Sequence, residues 1–174
     1  MSEQYTSHYS VLLNECLKFL NDAYEAADDG LDPFFADMTF GGGGHSSSLA
    51  KLHSNSRVYS VDQDPDAINN GNDLIQKLGL SKNLFLNKMN YEQFPDWIAE
   101  NKPELKFHGI LMDLGVSSHH FDKFDRGFSF REDAPLDMRM DFQNEKLYTA
   151  AEVLNTFDEE DIADIIFKYG EKTF

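Results

Sequence analysis

The stretch Ala36-Asp37-Met38-Thr39-Phe40-Gly41-Gly42-Gly43-Gly44-His45 decides how this chain is read. It follows the apolar pair Phe34-Phe35 and precedes Ser46-Ser47-Ser48-Leu49-Ala50, which has the character of a helix start. Glycines between a strand and a helix let a backbone press against a ligand, because no Cβ intervenes and φ can be positive. The helix N-terminus behind them offers unpaired N–H groups and a partial positive charge, suited to a carboxylate or phosphate. A second run, Val58-Tyr59-Ser60-Val61-Asp62, is apolar and ends in an acid. Asp62 falls about 20 residues beyond the loop, where a carboxylate ending a second strand binds ribose hydroxyls. Together the two runs predict a nucleoside-cofactor site.

Outward from the loop, the pattern alternates. Ser10 is expected to cap a helix running to about Ala27, with Val11, Leu12, Leu13, Leu17, Leu20 and Tyr24 on its apolar side. Phe34–Met38 predicts a strand, Ser47–His53 a helix, and Arg57–Asp62 a strand. Asp64-Pro65 is a helix start, Asp as N-cap and Pro in the first turn, and Gly79 closes that helix. Leu84–Leu86 predicts a third strand, Tyr91–Asn101 a helix despite Pro95, and His108–Asp113 a fourth strand. This order predicts an α/β fold with a parallel sheet and helices on both faces. Ligands in such sheets sit beyond the carboxyl ends of the strands. Asp37, Asp62 and Asp113 occur near such ends and are expected to converge on one crevice. Residues 114–142 then lack a clear strand or long helix, Thr149–Glu152 forms a capping box, and Asp158–Tyr169 reads as a helix with Ile162, Ile165, Ile166 and Tyr169 on one side.

Composition narrows the function. Hydrophobic residues at 41% and aromatics at 13% of 174 residues argue for a globular chain. Thirty-one acids against 15 bases give a net charge of −16, the wrong sign for gripping naked nucleic acid by its phosphates. Contact with a nucleic acid would need a local basic patch, aromatic stacking or further parts; most of the acids read as solvated surface. The single Cys16 rules out an intrachain disulfide and a cysteine-based zinc site, and His8, His53, His108, His119 and His120 show no metal-ligand spacing with carboxylates. No apolar run reaches membrane-spanning length and the first residues lack a signal-peptide layout, so no membrane role and a cytoplasmic location are expected.

The glycine loop fails in detail as a dinucleotide fingerprint: counted from Gly41, the third glycine falls at Ser46. An acid at Asp37, just before the loop, is unusual for nicotinamide or flavin binders and suits an S-adenosylmethionine site, where it braces the loop near the amino-acid end of the cofactor. The run Asp37 to Ser46, then Asp62-Gln63-Asp64-Pro65, then Leu111-Met112-Asp113-Leu114-Gly115-Val116-Ser117-Ser118 resemble one family closely. So do Arg126-Gly127-Phe128-Ser129-Phe130 and Pro135-Leu136-Asp137-Met138-Arg139-Met140-Asp141, as well as His8 with Val11-Leu12-Leu13 and the late Tyr169-Gly170-Glu171. The chain is similar over nearly its whole length to the ribosomal RNA small subunit methyltransferase H family.

That resemblance implies a Rossmann-like S-adenosylmethionine-dependent methyltransferase sheet, of which the first four parallel strands are present, followed by the start of an inserted helical domain. The expected division is 1–117, the N-terminal half of the methyltransferase domain, and 118–174, a motif-rich loop and the beginning of the insertion. The chain is therefore expected to be a fragment whose fourth strand lacks its usual neighbour, an exposure that partner pairing or homo-oligomerisation would relieve. The resemblance carries cofactor contacts to Gly43, Gly44 and His45, to Asp62 at the ribose, to Tyr91 near the adenine (where Phe is common) and to Asp113. A last contact, usually Gln, falls on His120. The implied reaction is methylation of N4 of a cytidine in the decoding region of small-subunit ribosomal RNA, on RNA or within an assembled ribosomal subunit, in the cytoplasm.

The chemistry gives an acid at the fourth strand two possible uses. The cytosine N4 lone pair is delocalised into the ring, so an oxygen acceptor on its hydrogens favours pyramidal nitrogen and in-line attack on the sulfonium methyl. Asp113 is the candidate for that catalytic role; alternatively it only positions the cofactor. In the Arg126–Asp141 loop, Phe128 and Phe130 are candidates to stack an extruded base, and Arg126, Arg131 and Arg139 to meet phosphate or base edges. The alternative there is internal: Asp137, Arg139 and Asp141 pair to hold the loop while the Phe and Met residues form core. Two other functions stay open at this point, a non-catalytic cofactor-binding or interaction module and, opposed by Asp37 and Ser46, a nicotinamide-dinucleotide oxidoreductase.

Overall fold

Phe34-Phe35-Ala36-Asp37 forms β1 (Phe34–Asp37), an apolar run with both faces covered, as expected of a central strand in a parallel sheet. The computed structural model describes residues 10–170. His8 and Glu171 of the resemblance lie outside them. Among the described residues the sheet has the order β3-β2-β1-β4, with β2 spanning Arg57–Asp62, β3 Leu84–Lys88 and β4 Gly109–Leu111. Every pairing is parallel. The backbone divides into two units, one up to Ser118 and one from His119.

Side-chain alternation sorts the first unit into two cores. Phe35 and Val58 point to one face, where they pack with Phe40, Leu49, Ala50, Ile75, Leu80 and Leu84. This face is covered by Leu17, Leu20 and Tyr24 of α1 (Leu13–Ala27), by α2 (Gly44–Leu52), and by Leu74 of α3 (Pro65–Leu78). Ala36, Tyr59 and Val61 point to the other face, where Phe94, Trp97 and Ile98 of α4 (Phe94–Asn101) close over them. A fully buried Phe or Val contributes about 1.5–3 kcal/mol over its exposed state, so these clusters carry the unit. The second face is uncovered at β4: Ile110 is 58% and Met112 52% exposed. Among the described residues β4 pairs with β1 alone.

Several boundaries differ from the sequence expectation, each for a physical reason. Ser10 does not cap α1; Leu12 stands at the N-cap with φ 51°, without a side-chain cap bond. α2 begins at Gly44 rather than Ser47, because Gly43 takes the left-handed conformation (φ 77°) and turns the chain into the helix at once. Pro95 lacks an N–H and sits in the first turn of α4, so the expected single helix is a short 3-10 turn over Tyr91–Gln93 followed by α4. β4 is trimmed to Gly109–Leu111; the Asp113 N–H leaves the ladder and donates to Thr39 Oγ1 at 2.8 Å. α3 is framed as expected: the Asp64 carboxylate accepts from Asp66 N–H, and Gly79 closes the helix at φ 66°.

The second unit holds little regular structure. α5 spans Ser118–Asp122 and reaches into it, a 3-10 turn covers Phe124–Arg126, and α6 (Ala150–Thr156) and α7 (Glu159–Tyr169) follow a long loop. The Thr149–Glu152 capping box is formed in both directions. α7 has no buried residue, and Ile165, Ile166 and Tyr169 of its apolar side are exposed.

Candidate cofactor site

Strand register sets the heights of the acids. Asp37 on β1 lies level with Ser60 on β2 and with Leu111 on β4. Asp62 and Asp113 therefore stand two residues further toward the carboxyl rim, about 6–7 Å at the rise of a parallel strand. The glycine loop leaves β1 between them and is strapped on both sides. Gly41 N–H donates to Asp62 Oδ2 at 2.8 Å, and Asp113 N–H donates to Thr39 Oγ1. Backbone bonds Met38 N–H to Leu111 O and Phe40 N–H to Val61 O continue the same attachment.

Asp37 does not reach the crevice. Its position shares the face of Phe35, so its side chain runs under α2 and is fully buried. Ser46 Oγ donates to Asp37 Oδ2 at 2.5 Å and lies 2.7 Å from Ser60 Oγ, while Thr39 N–H donates to Asp37 Oδ1. Burial raises the Asp37 pKa above its ordinary value; the Ser46 and Thr39 hydrogen bonds and nearby His45 oppose that shift. The expected convergence of three carboxylates is thus two at the rim and one beneath. Ser46, met in the sequence as part of a helix start and as a missing third glycine, supplies the hydroxyl that the buried acid requires. An acid on the helix-facing side of a strand, followed by serines in the next helix turn, is the signal that would have found it.

The glycines divide by cause. A Cβ on Gly43 would stand 2.5 Å from Phe40 Cζ and 2.8 Å from Leu74 Cδ2, and one on Gly44 would stand within contact of Ser10 Oγ. Neither needs a ligand to explain it. Gly41 has φ 51° and open space around its missing Cβ, the nearest atom being Thr39 O at 3.9 Å, and Gly42 is exposed. His45 is buried, its Nε2 3.0 Å from Val11 O.

On the other side of Asp62, Asp64 N–H donates to Asp62 Oδ1 at 2.9 Å. Met89 N–H donates to Asp62 O, and Asn90 Nδ2 donates to Gln63 Oε1 at 3.2 Å, so the segment leading to Tyr91 is tied to the rim of β2. Tyr91 is exposed just beyond β3. A rim carboxylate oriented by backbone N–H groups, an open-backed glycine beside it and an exposed aromatic one strand further fit a ribose with an attached base.

In the second unit, Arg126 is buried and turned inward. Its Nη2 donates to the carbonyls of Arg139 and Met140, and its guanidinium lies 4.4 Å from the Phe142 ring centre. Arg139 forms a fork with Asp137 (Nε–Oδ1 2.8 Å, Nη2–Oδ2 2.7 Å) and also donates to Asn144 O. The fork holds Asp137 below the usual carboxylate range. These two arginines shape the loop; the Asp137–Arg139 pairing is one part of the internal arrangement the sequence left open, whereas Phe130 and Met138 are exposed rather than core. His120 is buried, its ring 5.0 Å from Phe128. Phe128 and Phe130 line a cavity of about 540 Å³ with Arg131, Glu132, Asp133 and Met138; Phe130 is fully exposed.

Sheet, loop and rim carboxylate together define a Rossmann-like α/β protein of the methyltransferase class. The chain belongs to the MraW methylase family, which matches residues 5–174. A ribosomal RNA small subunit methyltransferase H of Mycoplasma capricolum is 42% identical over 168 residues, covering 96% of this chain and 51% of that protein. Proteins of the same name from Cytophaga hutchinsonii and Nostoc punctiforme are 40% and 42% identical, covering 94% and 95% of this chain. The chain spans about half the length of the curated relatives it matches. Among the described residues, no helix is long and apolar enough to cross a membrane.

Proposed function

We propose that this chain carries the cofactor-binding part of an S-adenosylmethionine-dependent methyltransferase acting in the cytoplasm on N4 of a cytidine in the decoding region of small-subunit ribosomal RNA. The observation that carries this reading is Asp62, held at the rim of β2 by Gly41 N–H and Asp64 N–H beside the open back of the glycine loop. In this reading Asp62 accepts the ribose hydroxyls, Tyr91 covers the adenine, and Gly41 and Gly42 give the backbone approach. Gly43, Gly44 and His45 hold the first turn of α2 toward the cofactor, and Asp37 acts from beneath through Ser46 and Thr39. Bound there, the cofactor supplies an electrophilic sulfonium methyl. Asp113 is exposed at the rim and is assigned to the cofactor and to the hydrogens of the N4 amine, whose proton becomes acidic as the new bond forms. His120 and Phe128 are assigned together to one wall of the loop, and Phe130 with Arg131 to the extruded base, with Arg126 and Arg139 as its supports.

A second reading has its own observation: among the described residues β4 has an open edge and an uncovered apolar face, and the chain spans about half the length of its relatives. On that reading the chain binds cofactor without catalysing, or pairs with another chain. Titration calorimetry with S-adenosylmethionine and with a nicotinamide dinucleotide, then radiolabelled methyl transfer to isolated small ribosomal subunits and to naked RNA, tests both. Binding of the first cofactor alone is expected. Binding of only the nicotinamide would overturn the proposal, and binding without transfer would favour the second reading.

A further inference from the structure

We propose that Thr39 is a positioning residue that sets the place of Asp113 relative to the cofactor, a role that rests on the methyltransferase reading above. Its hydroxyl links the end of β1, from which the loop leaves, to the residue two beyond the end of β4. Thr39 Oγ1 lies 3.4 Å from Asp37 Oδ1 and donates to it, while the Asp113 N–H donates to Thr39 Oγ1 at 2.8 Å. A hydroxyl has one proton and two lone pairs. Asp37 Oδ1 accepts from Thr39 N–H and from the Thr39 hydroxyl while Oδ2 accepts from Ser46 Oγ, so the Thr39 proton points to Asp37 and a lone pair is left for the Asp113 N–H. The direction of each bond is thereby fixed from the buried acid outward.

This link does work that the ladder does not. β4 ends at Leu111, and Asp113 stands two residues beyond its last pairing with β1. After Asp113 come Leu114, Gly115 and Val116, all exposed, with Gly115 at φ 140°. The Thr39 bond holds the Asp113 backbone on the loop side, so the direction in which the exposed Asp113 carboxylate leaves the rim depends on it. Ser60, Ser46, Asp37, Thr39 and Asp113 form one hydrogen-bonded row across β2, α2, β1 and the end of β4. Thr39 is the member that carries the row to Asp113 at the rim.

The test uses the chain as it stands and a double-mutant cycle. Thr39→Val keeps the shape and loses both hydroxyl bonds; Thr39→Ser keeps both bonds. Asp113→Ala removes the carboxylate and leaves the backbone N–H in place. Calorimetry with S-adenosylmethionine is expected to give about tenfold weaker binding for Thr39→Val and for Asp113→Ala, the size of one lost hydrogen bond to a charged group. The double variant should bind no more weakly than Asp113→Ala, and Thr39→Ser should stay within about twofold of the parent. A purely structural Thr39 would instead give losses that multiply. Hydrogen exchange of the Asp113 amide supplies a readout without cofactor: Thr39→Val should speed it about tenfold and Thr39→Ser should not. Multiplying losses, parent-like binding by Thr39→Val, or unchanged exchange would overturn the proposal. If the parent fails to bind the cofactor while the exchange result holds, the methyltransferase reading fails and the Thr39–Asp113 link stands.

Discussion

Replacing Gly43 by Ala separates a glycine required by the fold from one required by a ligand. Gly43 is buried, its φ is 77°, and its missing Cβ would fall 2.5 Å from Phe40 Cζ and 2.8 Å from Leu74 Cδ2. A left-handed backbone at a non-glycine residue costs about 1–2 kcal/mol. Forcing a methyl against a packed ring adds about 1–3 kcal/mol, because Phe40 is itself buried and has nowhere to retreat. The sum is about 2–5 kcal/mol, a large part of the stability of a domain. At 2–4 °C per kcal/mol for a chain of this size, a loss near 3 kcal/mol lowers the melting temperature by about 6–12 °C. Gly41→Ala is the control: φ is 51°, but the Cβ meets only Thr39 O at 3.9 Å, so strain alone remains, about 1–2 kcal/mol. Trp97 is the single tryptophan and packs in the core under β1 and β2, so its fluorescence follows the unfolding of this unit. Gly43→Ala should lose stability first, and Gly41→Ala should lose S-adenosylmethionine affinity out of proportion to its stability. Adding Phe40→Leu to Gly43→Ala should recover part of the loss by shortening the ring. A Gly43→Ala protein melting within about 2 °C of the parent, or one made worse by Phe40→Leu in simple addition, would refute the packing argument.

Asp37→Asn should flatten the pH dependence of stability. The folded pKa of Asp37 is raised, so its stabilising contribution is complete below the unfolded value of about 3.9 and is lost as pH rises through the folded value. Asn keeps the bonds, with its oxygen accepting from Thr39 N–H and its amide donating to Ser46, which then donates to Ser60. Urea unfolding followed at Trp97 from pH 4 to pH 8 should show the Asn variant gaining on the parent as pH rises; the opposite trend would reverse the assignment. Arg126→Lys should loosen the second unit, since an ammonium cannot both serve the two carbonyls and lie flat on Phe142. Digestion by a glutamate-specific protease at the exposed Glu132 and Glu145 should accelerate about tenfold, and equal rates would show that the guanidinium does not hold the loop.

Where local chemistry decides, the sequence was legible. β2 runs from Arg57 to Asp62 as expected, and Asp64, Pro65 and Gly79 bound α3 because caps act through neighbouring residues. The Thr149–Glu152 box is local in the same sense. The boundaries that moved depend on contacts distant in sequence. Ser10 is a good cap by type, but its side chain is packed against Gly44 instead. α2 starts early because Gly43 can turn over the Phe40 ring, which no helix-start rule contains. β4 is short because, among the described residues, it pairs with β1 on one side and Thr39 captures the Asp113 amide.

The candidate site shows the same limit more sharply, through register. From spacing alone, Asp37, Asp62 and Asp113 are equivalent acids at strand ends. Pairing makes Asp37 level with Ser60 and Leu111, and so sets Asp62 and Asp113 one pleat above it on the flanking strands. Height then assigns chemistry. The lower acid meets a helix and must be satisfied by hydroxyls, which Ser46 and Thr39 supply. The two upper acids frame the rim, and the glycine loop is tied to one by Gly41 N–H and to the backbone of the other through Thr39. The loop is therefore held as a bridge between the residues assigned to the ribose and to the reacting amine. A one-pleat shift of β2 would move the acid assigned to the ribose, and one of β4 the acid assigned to the amine, each away from the loop that β1 positions.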